Sequence, residues 1–387
     1  MDLRVELIRE YEAGESIAAL AEVYQVSRKT IYKWLKRYES AGTAGLADLS
    51  RAPHERPRNV CEENARAIIE ARHQWRWGPR KLRLKLQEQH PDIDWPAAST
   101  FGDILRRAGI SHRRVRKHRT PLYGSPFANV EMANQTWCAD FKGWFRTGDG
   151  VRCDPLTITD AHSRYLLCCQ ITAKTDTVHV RALFEATFRQ YGLPRVIRTD
   201  NGPPFASPAP GGLSQLSVWL IKLGILPERT RPASPQENGR HERMHLTLKQ
   251  DTLRPPACSR RRQQEEFDRF RQIYNYERPH EGLQDKTPAS QYEPSPRPMP
   301  RRVPELEYAP DLIVRRVSTR GEFKWGGAKI FVSELLNYEA VGLKPHDDRF
   351  HEVFYGPVRI GWLDSHKLCF HRKLSKRLTE ELGQDKE

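Results

Sequence analysis

The sequence contains no Cys-x-x-Cys pair, and its seven cysteines (Cys61, Cys138, Cys153, Cys168, Cys169, Cys258 and Cys369) are odd in number. A disulfide framework or a zinc ribbon is therefore not expected, and free buried thiols in a reducing cytoplasm are. No apolar run reaches about 18 residues, so no membrane-spanning helix is expected. The stretch after Met1 lacks the apolar segment of a secretory signal. Acidic residues are in short supply: 49 Asp and Glu stand against 64 Lys and Arg, a formal net charge of +15. That surplus favours a polyanionic partner, and with a membrane surface disfavoured, nucleic acid is the expected one. At 387 residues the chain is too long for one average core, so several domains are expected.

Residues 1–50 read as a helix-turn-helix domain. LRVELIREYEAG, SIAALAEVYQV and SRKTIYKWLKRYES are three amphipathic segments, the third opening at Ser27 as N-cap. In it Ile31, Trp34 and Leu35 share one face, leaving Arg28, Lys29, Thr30, Tyr32 and Lys33 outward as candidate DNA contacts. Residues 58–112 repeat the helical theme and read as a second helix-turn-helix domain. Its last helix, WPAASTFGDILRRAG, buries Phe101, Ile104 and Leu105 and turns Ser99, Thr100 and Arg106 toward a groove. Residues 113–124 are a basic linker. Arg113, Arg114, Arg116, Lys117 and Arg119 are too densely charged to bury and suit a tether along phosphates.

From about residue 125 the pattern changes. Three strand-like runs are followed by helix, strand, helix, strand, helix, which predicts over 125–293 an α/β sheet that starts antiparallel and continues parallel. A proline-rich stretch follows. Residues 308–372 then hold six short strands with turn signals, which predicts a small β-barrel.

Within 125–293 three carboxylates draw notice. Asp140 would sit inside the first strand, where a charge is costly unless paired or metal-bound. Asp200 ends the strand VIRTD, where ligands of such sheets collect. The third lies in SPQENGRHERMH, residues 234–245, as Glu237 or Glu242. Ser234, Pro235 and Glu237 form a capping box, which occupies Glu237 with helix initiation. Five residues on, Glu242 points about 140° away and sits where the helix is rigid enough to hold a ligand. Oxygen-only donors suit Mg²⁺ or Mn²⁺, and a pair of such ions can drive phosphoryl transfer. Gln236, Asn238, Arg240, Arg243 and Lys249 lie on or near the same helix as candidate DNA contacts. His241 and His245, at i, i+4, have the spacing of a zinc face, but no nearby cysteine completes one. Asp160 reads as a turn-stabilising carboxylate beside Arg164.

TWCADF, VIRTDNGPPFAS, SPQENGRHERMH and IYNYERPHEGLQDKTPASQY, in that order, resemble the DDE catalytic core of retroviral integrases and bacterial insertion-sequence transposases. The flanking domains resemble the insertion-sequence branch, and the His/Cys zinc module of retroviral integrases is not found. The resemblance implies a multidomain α/β fold class: N-terminal helix-turn-helix domains, an RNase H-like catalytic core and a C-terminal small β-barrel. It implies catalytic and metal-binding roles for Asp140, Asp200 and Glu242 with two Mg²⁺ or Mn²⁺ ions. The family's usual spacing favours Glu237, but the insertion-tolerant loop SPAPGGL accounts for the extra residues, and the Asn-Gly-x-x-Glu-Arg portion carries the family's ligand. A transposase is thus expected, cleaving and joining double-stranded DNA at the terminal inverted repeats of a mobile element. It is expected as a homo-oligomer in a bacterial, nucleoid-associated setting, with an accessory ATPase left open. The competing expectations are an RNase H-like nuclease that does not join strands and a transposase-derived DNA-binding regulator.

Overall fold

A computed structural model describes residues 2–49, 60–111, 130–230 and 239–373. The chain divides into two compact bodies, residues 1–62 and 63–387.

In the first body, α1 (Asp2–Glu12), α2 (Ile17–Val23) and α3 (Arg28–Ala41) pack around Leu7, Ile8, Leu20, Ile31 and Leu35. Ser16 and Ser27 start α2 and α3 by accepting hydrogen bonds from the amides of Ala19 and Thr30. Gly42, at φ 59°, ends α3 in the left-handed region and turns the chain so that Leu46 closes the core.

The second body opens with α4 (Glu62–Trp75), α5 (Pro79–Gln89) and α6 (Ala98–Arg107). Pro79 begins α5 at a position that needs no N–H. Trp77, Leu82, Trp95, Phe101 and Leu105 are buried. This bundle is fastened to the rest of the body. Lys85, 8% exposed, bonds Glu277 across it, and Arg80 meets Asp285 at 2.6 Å.

The central sheet joins β1 (Thr136–Phe141), β2 (Phe145–Arg146), β3 (Arg152–Asp160), β4 (Leu166–Thr172), β5 (Val196–Thr199) and β6 (Leu226–Arg229). Strand β3 runs antiparallel to β1, β2 and β4, while β1, β5 and β6 are mutually parallel in that order, which is the mixed sheet expected from the sequence. Side chains of β1 alternate, and the two faces bury different partners. Trp137 and Ala139 pack with α7 (Thr177–Tyr191) and α8 (Gln215–Lys222) through Phe184, Phe188 and Trp219. On the opposite face lie α9 (Gly239–Thr252) and α10 (Arg260–Gln272), whose Met244, Leu248, Phe267 and Phe270 bury against Leu166, Cys169 and Ile171. Edge strand β4 is closed by side-chain amides rather than a further strand. Gln264 bonds the backbone of Cys169 and Ile171, and Asn275 bonds both the amide and the carbonyl of Leu166.

The C-terminal part holds β7 (Ile313–Arg316), β8 (Glu322–Trp325), β9 (Ala328–Phe331), β10 (Ala340–Pro345), β11 (Phe350–Tyr355), β12 (Val358–Asp364) and β13 (Cys369–His371). The expected barrel is not closed by backbone pairing. Among the described residues there is an open antiparallel sheet, ordered β13-β12-β11-β10-β7, and a separate β8–β9 hairpin. Its core includes Val218 and Ile221 of α8, so α8 is buried on two sides. The proline-rich segment before it is anchored by Arg297, which donates to the carbonyls of Pro194 and Gly224 at 2.8 and 2.9 Å.

Candidate active site and nucleic-acid interface

Asp140 lies on the α9 side of β1, directly opposite Thr157 of β3. In the β1–β5 ladder Cys138 pairs with Arg198. Asp140 and Asp200 are each two residues further on, so they occupy equivalent positions at the ends of neighbouring parallel strands, which run about 4.8 Å apart. The turn after β5 braces Asp200, whose Oδ1 accepts from the Gly202 amide at 3.1 Å. A Cβ at Gly202 would stand 3.2 Å from Asp200 Oδ2, so the carboxylate fits against a glycine.

Glu242 is exposed in the first described turn of α9. The helix turns His241 and His245 inward, and both are buried. Burial pushes the His241 imidazole down to about 3. It pushes His245 down to about 2, with the nearby His241 and Lys142 adding to the effect, so both rings are neutral. Thr157 Oγ1 lies 2.7 Å from the Nε2 of each and 3.0 Å from the Asp140 carbonyl oxygen. Thr159 Oγ1 is 3.0 Å from His241 Nδ1. His245 Nδ1 reaches to 4.0 Å from Asp140 Oδ2. Among the described residues the close group of potential metal ligands is thus Asp140, His241 and His245, with ligand atoms within 4.8 Å of one another. Asp200 and Glu242 stand outside it. The i, i+4 spacing of the two histidines is a local signal with no cysteine near it, and the third potential donor is a carboxylate on another element.

Lys142, two residues beyond Asp140, has its ammonium pushed down by burial and by Lys249 of α9, against the pull of Asp140. Lys249 is exposed, as are Arg240 and Arg243, and Arg240 also donates to the Ala161 carbonyl at 2.9 Å. Gln236 and Asn238 lie outside the described residues, as do Glu237 and the capping box. So do Arg113, Arg114, Arg116, Lys117 and Arg119 of the basic linker. In the first body Arg28, Lys29, Tyr32 and Lys33 are exposed along α3, while the Thr30 hydroxyl is shared with Ser27 at 2.8 Å. On α6, Ser99 is exposed, Thr100 half-buried, and Arg106 pairs with Asp103 at 2.6 Å. Asp160 is buried and holds the turn after β3, accepting from the amides of Ser163 and Asn134 at 2.7 Å each.

A cavity of about 1130 Å³ lies between α9, α5 and the segment after α10, and His241 and Thr159 are among its lining residues. Arg76, Lys81, Arg164, Arg243, Arg254 and Arg278 line it. Burial, together with Arg278 and Arg243, pushes the Lys81 ammonium down to about 8. Arg164 Nε is buried there and has no hydrogen-bond partner among the described residues. Most of these residues were missed in the sequence because they come from four distant segments. Tyr276 and Arg278 have local roles, bonding Tyr165 and Asp251 at 2.9 and 3.0 Å.

Comparison with known families places this geometry. Residues 130–235 match the integrase core domain, and residues 223–288 match a second integrase core domain description. Residues 3–54 match a helix-turn-helix domain and residues 30–105 a homeodomain-like domain. An insertion element IS407 protein of 31.7 kDa from Burkholderia multivorans is 23% identical over 238 residues, 60% of this chain and 82% of that protein. The chain thus carries an integrase core domain behind a helix-turn-helix domain. The Gag-Pol polyprotein of baboon endogenous virus is 27% identical over 190 residues, 49% of this chain. This integrase-core chain spans only 10% of that polyprotein, and 60% of an insertion element IS476 protein of 39.2 kDa from Xanthomonas euvesicatoria, to which it is 25% identical. Among solved structures, the HTLV-2 integrase catalytic core domain in complex with magnesium aligns at 16% identity and a TM-score of 0.34, covering 42% of this chain and 98% of that one. A simian T-cell lymphotropic virus intasome chain aligns at 15% identity and a TM-score of 0.37, covering 76% and 98%. No helix among the described residues is long and apolar enough to cross a membrane.

Proposed function

We propose that the chain is a transposase that binds the terminal inverted repeats of a mobile element and catalyses DNA strand cleavage and strand transfer. The observation that carries this reading is the placement of Asp140 and Asp200 at equivalent ends of adjacent parallel strands, inside an integrase core that follows a helix-turn-helix domain. The donor set fits hard divalent cations: Asp140, Asp200 and Glu242 offer carboxylate oxygens, and each sits half-exposed or exposed where an ion and a phosphate can both arrive. Two Mg²⁺ or Mn²⁺ ions held there would activate the attacking oxygen and steady the leaving one.

The protein's own contribution is positioning. The register of β1 and β5, which pairs Cys138 with Arg198, supports Asp140 and Asp200 as neighbouring ligands, and Glu242 on α9 is the proposed third. Lys142 and Lys249 put positive charge beside them, where the phosphodiester would lie. The exposed face of α3 suits a major groove. The arginine-lined cavity suits a phosphate backbone, and the unpartnered Arg164 Nε supports that use. Two element ends must be handled together, so a homo-oligomer on DNA is part of the proposal.

The test is strand transfer with Mg²⁺ on a duplex carrying the DNA that brackets the coding sequence. Asp140→Asn and Glu242→Gln are expected to lose joining while DNA binding persists. Full joining by Glu242→Gln together with its loss in Glu237→Gln would overturn the assignment. A duplex nicked but never joined would favour a nuclease.

A further inference from the structure

The hydrogen bonds around Thr157 fix which nitrogen of His245 carries a proton. The Thr157 hydroxyl has one hydrogen and three partners: the Asp140 carbonyl at 3.0 Å and the Nε2 atoms of His241 and His245 at 2.7 Å. A carbonyl oxygen can only accept, so the hydroxyl donates to it. Both Nε2 atoms must then donate to Thr157. In His241 this leaves Nδ1 as an acceptor, and the Thr159 hydroxyl stands 3.0 Å away to supply the hydrogen. In His245 it leaves a lone pair on Nδ1, and the group it faces at 4.0 Å is the Asp140 carboxylate, Oδ2. The opposite tautomer would satisfy His245 only by turning the 3.0 Å contact between Thr157 and the Asp140 carbonyl into two facing acceptors.

Two acceptor atoms 4.0 Å apart are a place for a cation. Two ligand atoms each about 2.1 Å from one ion lie at most about 4.2 Å apart, and 4.0 Å falls within that reach. The side chains are 11% and 20% exposed, so solvent reaches part of each. Resting on the DDE reading above, we propose that His245, through Nδ1, is a nitrogen ligand of the divalent ion held by Asp140. Thr157 and His241 are positioning residues that hold the ring in the required tautomer. A nitrogen donor is softer than carboxylate oxygen, so the site takes Mn²⁺ in preference to Mg²⁺, beyond the ordinary difference between the two ions at an all-oxygen site.

The test loads the full chain with Mn²⁺ alone, without DNA, and reads the metal by pulsed electron paramagnetic resonance. The expected spectrum carries the modulation of a directly bound ¹⁴N. That modulation converts to the ¹⁵N pattern in protein labelled with ¹⁵N-histidine and disappears in His245→Gln or His245→Asn. The same variants are expected to raise the Mn²⁺ Kd about tenfold or more, with a smaller change for Mg²⁺. Circular dichroism and Tm identify whichever of the two variants keeps the fold. Mn²⁺ bound in an Asp140-dependent way but with no nitrogen modulation overturns the proposal and leaves the carboxylate site standing. So does nitrogen modulation that persists in a folded His245 variant. Mn²⁺ binding indifferent to Asp140→Asn overturns the carboxylate site as well.

Discussion

Thr157→Val tests the hydroxyl hub by itself, because valine keeps the shape and the β-branching and deletes only the oxygen. In the wild type that oxygen meets Asp140 O, His241 Nε2 and His245 Nε2 at 3.0, 2.7 and 2.7 Å, all in a buried setting. Each buried group left without a partner costs roughly 1–3 kcal/mol. The three losses share one small region and relax together, so they do not add in full. A destabilisation of about 2–4 kcal/mol is expected. For a body of this size each kcal/mol moves Tm by about 1.5 °C. Scanning calorimetry on the full chain should therefore show the transition that contains the central sheet lowered by about 3–6 °C. Isolated Thr157→Ser, which restores the oxygen but not the methyl group, should recover most of the loss. A Tm within a degree of wild type in Thr157→Val would refute the reasoning, since the hydroxyl would then not be satisfying those groups.

Three other outcomes follow from the structure. Arg243→Ala, at an exposed cavity-lining position, should weaken DNA binding at all sequences alike and reduce the slope of log K against log salt by about 1, as measured by fluorescence anisotropy between low and moderate salt. Asp364 is fully buried against Arg349, 2.6 Å away, and hydrogen bonds from Arg349 hold its carboxyl down to about 2. Its folded value lies below the unfolded one, so its stabilisation is complete above about pH 4 and is lost as pH falls through about 2. Arg349 is 28% exposed, so screening limits the effect to about 1 kcal/mol, which Asp364→Asn should remove from acid-unfolding curves followed by tryptophan fluorescence. Lys85→Met should raise hydrogen exchange across α4–α6 while leaving β1 and β3 protected, and unchanged exchange in α4–α6 would show that the Lys85–Glu277 contact does not hold that bundle.

How much of this was legible in the sequence depends on how local the cause is. Ser27 and the 3.6-residue spacing of Ile31 and Leu35 describe α3 from within one segment, and they fold as expected. Asp200 after a β-branched run is likewise a local signal. The antiparallel-then-parallel sheet followed from the order of strands and helices. The partnership of Asp140 with His241 and His245 was not legible, since it needs the register that sets Asp140 opposite Thr157 and the rotation that turns α9 inward. Strand count likewise did not fix pairing in the C-terminal part. Six strands were expected and seven are present, the last only three residues long, and their pairing leaves the sheet open. A further local signal lies in α8. The run LSVWLIKL is apolar around nearly the whole helix, the mark of a helix buried on more than one side, and α8 packs on both the central sheet and the C-terminal one.

The clasp of Lys85 on Glu277 and Arg80 on Asp285 also bears on geometry. A reading helix on a loose tether samples many separations from a cutting site, whereas one locked to the same body samples a single separation. In the proposed transposase, α6 is therefore a gauge: the bond offered to Asp140 is set by the count of base pairs from wherever α6 seats. One base pair added between the two moves that bond along the helix axis by about 3.4 Å, enough to take it out of register with the carboxylates.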